Sequence, residues 1–249
     1  GTGVFINRIK GANANVISNL IHASEQGVFM LGNEKAANVN INYNQIITNG
    51  SFSFGISIFE TNLPVPSRRF NVNCNSITLN DGVFGIYLSI ASKISILQNN
   101  ITLSSASTYQ TGVALDGSTE CFLLENTVNG NSTTLHTAFR GQLAENNNFT
   151  LNHSHLTKWG FDFASNCASD SLFKGNTIGE HDIGLHINTD GIIGKQDNRG
   201  NQWIGPFNPT GWGAQNENID FDDVDLNPFT VHELNPGSLF HPTNNVPVG

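Results

Sequence analysis

Charge is what this chain has least of. Only 12% of its 249 residues are charged, with eleven Lys and Arg against twenty Asp and Glu, for a formal charge of −9. A phosphate backbone is gripped by clustered basic side chains. The longest basic run here is Arg68-Arg69, so no nucleic-acid partner is expected. Cysteine is nearly as scarce. Cys74, Cys121 and Cys167 have no metal-ligand spacing, and an odd count excludes a complete intrachain disulfide framework. All three read as structural, with Cys121 filling the core. No apolar run approaches bilayer thickness, so no membrane span is expected, and no secretory leader is seen. A sustained 3.6-residue apolar period is missing too, which argues against helices. Asn, Ser, Thr and Gly are plentiful, as on the neutral, polar surface of a secreted β-protein.

A glycine heads a short apolar run about every twenty-two to thirty residues, with some longer gaps. Gly3-Val4-Phe5-Ile6, Gly27-Val28-Phe29-Met30, Gly55-Ile56-Ser57-Ile58, Gly85-Ile86-Tyr87-Leu88, Gly112-Val113-Ala114-Leu115, Gly160-Phe161-Asp162-Phe163 and Gly184-Leu185-His186-Ile187 share one template. A second column follows in the same order, as Asn19-Leu20-Ile21, Asn44-Gln45-Ile46, Asn75-Ser76-Ile77, Asn99-Asn100-Ile101, Asn126-Thr127-Val128 and Asn176-Thr177-Ile178. Between Asn126 and Asn176 one more copy is expected. It reads as Ala138-Phe139-Arg140-Gly141 followed by Ser154-His155-Leu156, with Ala for Gly and Ser for Asn. Three residues before this column stand Val16, Ile41, Val72, Ile96, Leu123, Leu151 and Phe173, apolar throughout.

Repetition at this period marks a solenoid. The runs are short, alternate with period two and are rich in Ile, Val and Phe, so they read as strands. Asn, Gly, Ser and Thr supply the turns. Stacked in parallel at about 4.8 Å per coil, seven to eight coils make a prism about 35 Å long. The Asn column reads as an internal amide ladder, each side chain bonded to those above and below, the plainer alternative being a set of turn formers. The Gly-led strand and Asn-x-Ile turn resemble the right-handed parallel β-helix repeats of the pectin-lyase-like superfamily, over about residues 3–203. The resemblance implies an all-β, right-handed parallel β-helix. Because that fold carries lyases, hydrolases, adhesins and non-catalytic surface proteins, it implies no single function.

The repeat begins without a cap before Gly3, so the chain is expected to be a piece of a longer or processed protein. Residues 1–203 are assigned to the solenoid and 204–249, rich in Pro, Asn and Asp, to an irregular tail packed on or beyond the last coils. The string Ile193-Gly194-Lys195-Gln196 followed by Gly200-Asn201-Gln202-Trp203 resembles the post-helix segment of large cell-surface β-helix proteins of Bacteroidota. That resemblance implies export by type IX secretion and an extracellular or cell-surface location.

In each Gly-led strand the second residue after Gly should face outward to solvent. That column reads Phe5, Phe29, Ser57, Tyr87, Ala114, Arg140, Asp162 and His186, aromatic above and ionisable below. Two residues further on stand Asp116, Gln142 and Asn188. Arg140, Asp162 and His186 are the candidate catalytic set, with Asp162 or His186 as acid/base and Arg140 neutralising a uronate carboxylate. Tyr87, Asp116, Gln142 and Asn188 are the candidate ligand-binding set. The plainer reading is mutual stabilisation of opposite charges on neighbouring strands.

Asn188-Thr189-Asp190-Gly191 and Arg8-Ile9-Lys10 look like pectin-hydrolase motifs, but they occur in the wrong order and about 30 Å apart in a stack of this rise. Asp220, Asp222, Asp223 and Asp225 cluster without the glycine and terminal Glu of a calcium loop. His153 and His155 read as loop residues without a third ligand. No metal site and no cofactor is therefore expected. The longer insertions at 59–69 and 102–111 are expected to flank Tyr87, leaving the ionisable column unwalled. The leading expectation is a non-catalytic structural or binding protein whose partner is a polysaccharide or a surface protein. The alternatives are a polysaccharide lyase or glycosidase using Arg140, Asp162 and His186, and a scaffold assembling through Phe5 and Phe29.

Overall fold

The computed structural model describes residues 1–7, 13–32, 38–59, 70–133, 135–168, 172–197, 200–205, 211–217, 229–230 and 242. These residues form strands and turns with no helix. Three parallel sheets wind into a β-solenoid of about seven turns. The first sheet has nine strands, running from Val4–Asn7 to Trp212–Asn216, and contains every Gly-led run. The second has seven strands, Ala14–Ile17 to Phe173–Lys174, and the third eight, Leu20–Ala23 to Gln202–Ile204. A short parallel pair, Gln196–Asp197 with Phe229–Thr230, lies outside these sheets.

The bend between the second and third sheets explains the asparagines. Ser18, Tyr43, Cys74, Gln98, Glu125 and Leu151 all have positive φ, as do Gly175 and Gly200, and each immediately precedes a ladder Asn. A left-handed residue costs an L side chain about 1–2 kcal/mol. The amide that follows offsets this cost. Asn19, Asn44, Asn75, Asn99, Asn126, Asn152, Asn176 and Asn201 form an unbroken ladder, each Nδ2 donating to the next Oδ1 at 2.9–3.2 Å. Each Oδ1 also accepts the backbone N–H of the preceding Asn. From Asn44 onward the second Nδ2 hydrogen reaches a main-chain carbonyl one turn back, such as Ile96 O from Asn126 at 2.8 Å.

The sixth turn is registered two residues earlier than the sequence pattern indicates. Its ladder residue is Asn152, and Phe149, not Leu151, is the buried residue three before it. Leu151 takes the left-handed place and is 45% exposed. Ser154 therefore pairs with Val128 and Ile178 in the inward column. An amide is needed to span from Asn126 to Asn176, and a serine hydroxyl is too short to do so.

The small Ser154 also accounts for Ala138 in the glycine column. A Cβ on Gly85 would lie 2.5 Å from Gly112 O and 2.8 Å from the Ile101 methyl of its own turn. In the sixth turn Ser154 replaces that branched side chain, which frees space for one methyl. Phe139, Phe149, Phe161, Phe163 and Phe173 fill the lower core, with Phe139 and Phe161 stacked at 4.8 Å. Gly141 leaves room for the Phe163 ring, which would lie 3.0 Å from an added Cβ.

The Gly200-Asn201-Gln202-Trp203 string belongs to the solenoid. Asn201 extends the ladder and Trp203 pairs with Ile178. The first sheet then continues through Trp212–Asn216, where Gly213-Ala214-Gln215 repeats the template with a weaker apolar signature.

Candidate functional site

The outer face of the first sheet carries the expected column in register: Phe5, Phe29, Ser57, Tyr87, Ala114, Arg140, Asp162, His186 and then Gln215. Its upper part is aromatic. Phe5 stacks on Phe29 at 5.2 Å, and Phe59 meets both Phe29 and Tyr87 edge-on. The expectation that the whole column faces solvent fails. Ser57, Ala114, Asp162 and His186 are buried, at 0%, 3%, 5% and 4% exposure. Ser57 donates to Gln26 Oε1 at 2.7 Å, while Trp159 and Glu217 cover the lower pair.

At the ionisable end, Asp162 Oδ1 lies 2.7 Å from His186 Nδ1. The other ring nitrogen, Nε2, lies 3.2 Å from Glu217 Oε1. The Trp159 ring lies parallel to the imidazole, 5.1 Å away at 5°, and Lys158 Nζ sits 4.3 Å over the indole. Burial opposes a charge on His186, but the hydrogen-bonded carboxylates of Asp162 and then Glu217 outweigh it and raise the pKa. With a carboxylate facing each ring nitrogen, the surroundings of His186 favour its protonated form. Arg140 Nε faces Asp162 Oδ2 at 3.8 Å, too far for a hydrogen bond, and Arg140 Nη2 donates to Gln142 Oε1 at 2.8 Å.

One turn up, the short Ala114 side chain between Tyr87 and Arg140 leaves an open depression of about 70 Å³. Phe84, Tyr87, Ala114, Leu115, Asp116, Arg140 and Gln142 line it. Tyr87 donates its hydroxyl to Asp116 Oδ2 at 3.1 Å, and its pKa is raised, chiefly by burial. Three of the four expected ligand-binding residues, Tyr87, Asp116 and Gln142, therefore meet here together with Arg140. Asn188 does not join them; it closes the turn after Ile183–Ile187, accepting from its neighbour Thr189 N at 2.7 Å.

The 102–111 segment behaves differently from expectation. Its Tyr109 reaches the Thr137 hydroxyl and meets Trp159 edge-on at 6.3 Å, so it walls the ionisable end instead of Tyr87. Burial first of all raises its pKa, and the Asp162 charge adds to the effect. Residues 60–69 of the other insertion lie outside the described residues, as do Arg8-Ile9-Lys10, Asp220, Asp222, Asp223 and Asp225.

Sequence reasoning missed Trp159, Tyr109 and Glu217. Trp159 was within reach, because the residue before each template Gly forms its own column with Phe54, Phe84, Thr111, Thr137 and Ile183. Tyr109 lies outside any repeated position, whereas Glu217 stands two residues after Gln215, as Asp116, Gln142 and Asn188 stand in earlier turns, and was hidden by the weak apolar signature of its own turn.

His153 and His155 stand on the strand His153–His155 and not in a loop. With Glu180, which is 3.1 Å from His155 Nε2, they border a second depression of about 190 Å³ on the third sheet. Among the described residues no group of three His, Cys, Asp or Glu is arranged to hold a metal ion. Cys121 and Cys167 are buried, and burial pushes both thiols up to about 12, which leaves them unreactive core residues.

No helix of the described residues is long and apolar enough to cross a membrane. No family model matches the chain, and neither does any curated protein or solved structure.

Proposed function

We propose that this solenoid is a non-catalytic binding module of a secreted or cell-surface protein, taking an extended polysaccharide along the outer face of its first sheet. The observation that carries the reading is the engagement of His186. Both ring nitrogens are held by carboxylates, one ring face is covered by Trp159 and the side chain is 4% exposed. A general acid or base must reach the proton it moves directly or through one water, and neither His186 nor the 5%-exposed Asp162 offers an open approach. The depression at Ala114 has the makings of a ligand subsite: an aromatic wall beside convergent polar groups. The polar, low-charge composition supports the extracellular setting, and the Bacteroidota-like segment and type IX export belong to the same proposal.

The test is incubation of the purified protein with a panel of polysaccharides. Release of reducing ends and of unsaturated products is followed, with binding read in parallel by affinity electrophoresis. Retardation without product is expected. Product that vanishes in a folded His186→Gln variant would replace this reading with the lyase or glycosidase one.

A further inference from the structure

The depression at Ala114 also discriminates between ligand charges, an inference that rests on the binding reading above. Its charged lining residues are Asp116 and Arg140, one of each sign. The Arg140 charge is already faced by Asp162, whose Oδ2 lies 3.8 Å from Nε, and Nη2 donates to Gln142, although Nε itself makes no hydrogen bond. A ligand carboxylate entering here would meet Asp116 at short range and only a guanidinium already shared with Asp162. A ligand cation would meet Arg140. Either ion therefore loses hydration without gaining an unopposed counter-charge.

A hydroxyl group is suited to both partners. It donates to the Asp116 carboxylate and accepts from the guanidinium or from the Gln142 amide. The Tyr87 and Phe84 rings, 4.8 Å apart and tilted by 32°, offer an apolar wall for the C–H face that carries such hydroxyls. The depression is small, about 70 Å³. That is room for a hydroxylated edge, not for a whole ring in its solvent shell. We infer that this depression recognises the vicinal hydroxyls of an electroneutral sugar, and that it rejects uronate. On this inference Arg140 does not serve a uronate, the role expected of it from the sequence, because Asp162 already faces its charge and Asp116 stands in the same lining.

The experiment is titration calorimetry with neutral gluco-, manno- and xylo-oligosaccharides and with oligogalacturonate of matched length. The proteins are the full chain, Tyr87→Ala, Asp116→Asn and, as a control on the third sheet, Thr102→Ala, each checked for an unchanged thermal transition. Binding of a neutral oligosaccharide, weakened about tenfold or more by Tyr87→Ala and by Asp116→Asn but not by Thr102→Ala, is the expected result. Oligogalacturonate bound more tightly than every neutral oligomer would overturn the charge inference while leaving a saccharide-binding module. Neutral binding unaffected by both site variants would overturn the assignment to this depression. Absence of binding to every oligomer would overturn the binding reading itself, and the inference with it.

Discussion

Three buried histidines respond to pH, His186 in one direction and His181 and His136 in the other. His186 has a raised pKa because Asp162 and Glu217 outweigh its burial. The stability it contributes is complete below the unfolded value of about 6.5 and is lost as pH rises through the folded pKa. His181 is fully buried between the Ser154 and Thr157 hydroxyls and carbonyls. Burial drives it down to about 4 against the hydrogen bonds from those partners. The unfolded chain takes up that proton first on acidification, so stability falls between about pH 6.5 and 4, by on the order of 3 kcal/mol. Thermal denaturation across pH is expected to show a maximum near pH 6.5. In His186→Gln the decline on the alkaline side should flatten while the acid limb persists. An unchanged alkaline limb in that variant would remove His186 from the account.

Within the ladder, an asparagine counts for more than one hydrogen bond. Removing the Asn126 side chain strands Asn99 N, one Asn99 Nδ2 hydrogen and Ile96 O in a buried corner, while Asn152 Oδ1 keeps the backbone N–H of residue 126. At about 1 kcal/mol for each orphaned group, Asn126→Ala is expected to destabilise the protein by about 3 kcal/mol. Asn19 is exposed, and its amide donates only to Ile17 O and Asn44 Oδ1. Asn19→Ala should therefore cost about 1 kcal/mol or less. Urea unfolding of the two variants measures the difference. Equal losses would mean that these amides act only as turn formers. The left-handed residue before each Asn belongs to the same device, since it turns the chain so that the amide points inward.

As a whole molecule, the solenoid has neighbours above and below every interior turn, while each terminal turn has one. Stability in such an array is close to a sum over turns and their interfaces, so openings start at the ends. Amide hydrogen exchange is expected to be slowest in Phe84–Ser89, Thr111–Asp116 and Thr137–Gln142, in the middle of the nine-stranded sheet. It should be faster in Val4–Asn7 and Trp212–Asn216 at its two edges. Uniform protection across all nine strands would indicate a single cooperative unit instead. The candidate depression sits on the best-protected turns, which suits a preformed binding surface.

The sequence alone determined the solenoid, its parallel stacking, the outward column in register from Phe5 to His186 and most of the amide ladder. All of these follow from local alternation and a fixed repeat, which survive translation from one turn to the next. The sixth turn is ambiguous in the sequence because Ser154 and Asn152 both lie near the expected place, and only ladder geometry distinguishes an amide that reaches both neighbouring turns from a hydroxyl that does not. Burial of Asp162 and His186, the arrival of Tyr109 over Trp159 and the clasp of Glu217 on His186 were decided by tertiary structure. Tyr109 comes from a loop that obeys no period, and Glu217 from the residue after the last strand, in a turn whose apolar signature is too weak to mark it in the sequence. A repeat specifies which residues lie above one another, but what covers them depends on segments that do not repeat or repeat too weakly to be read.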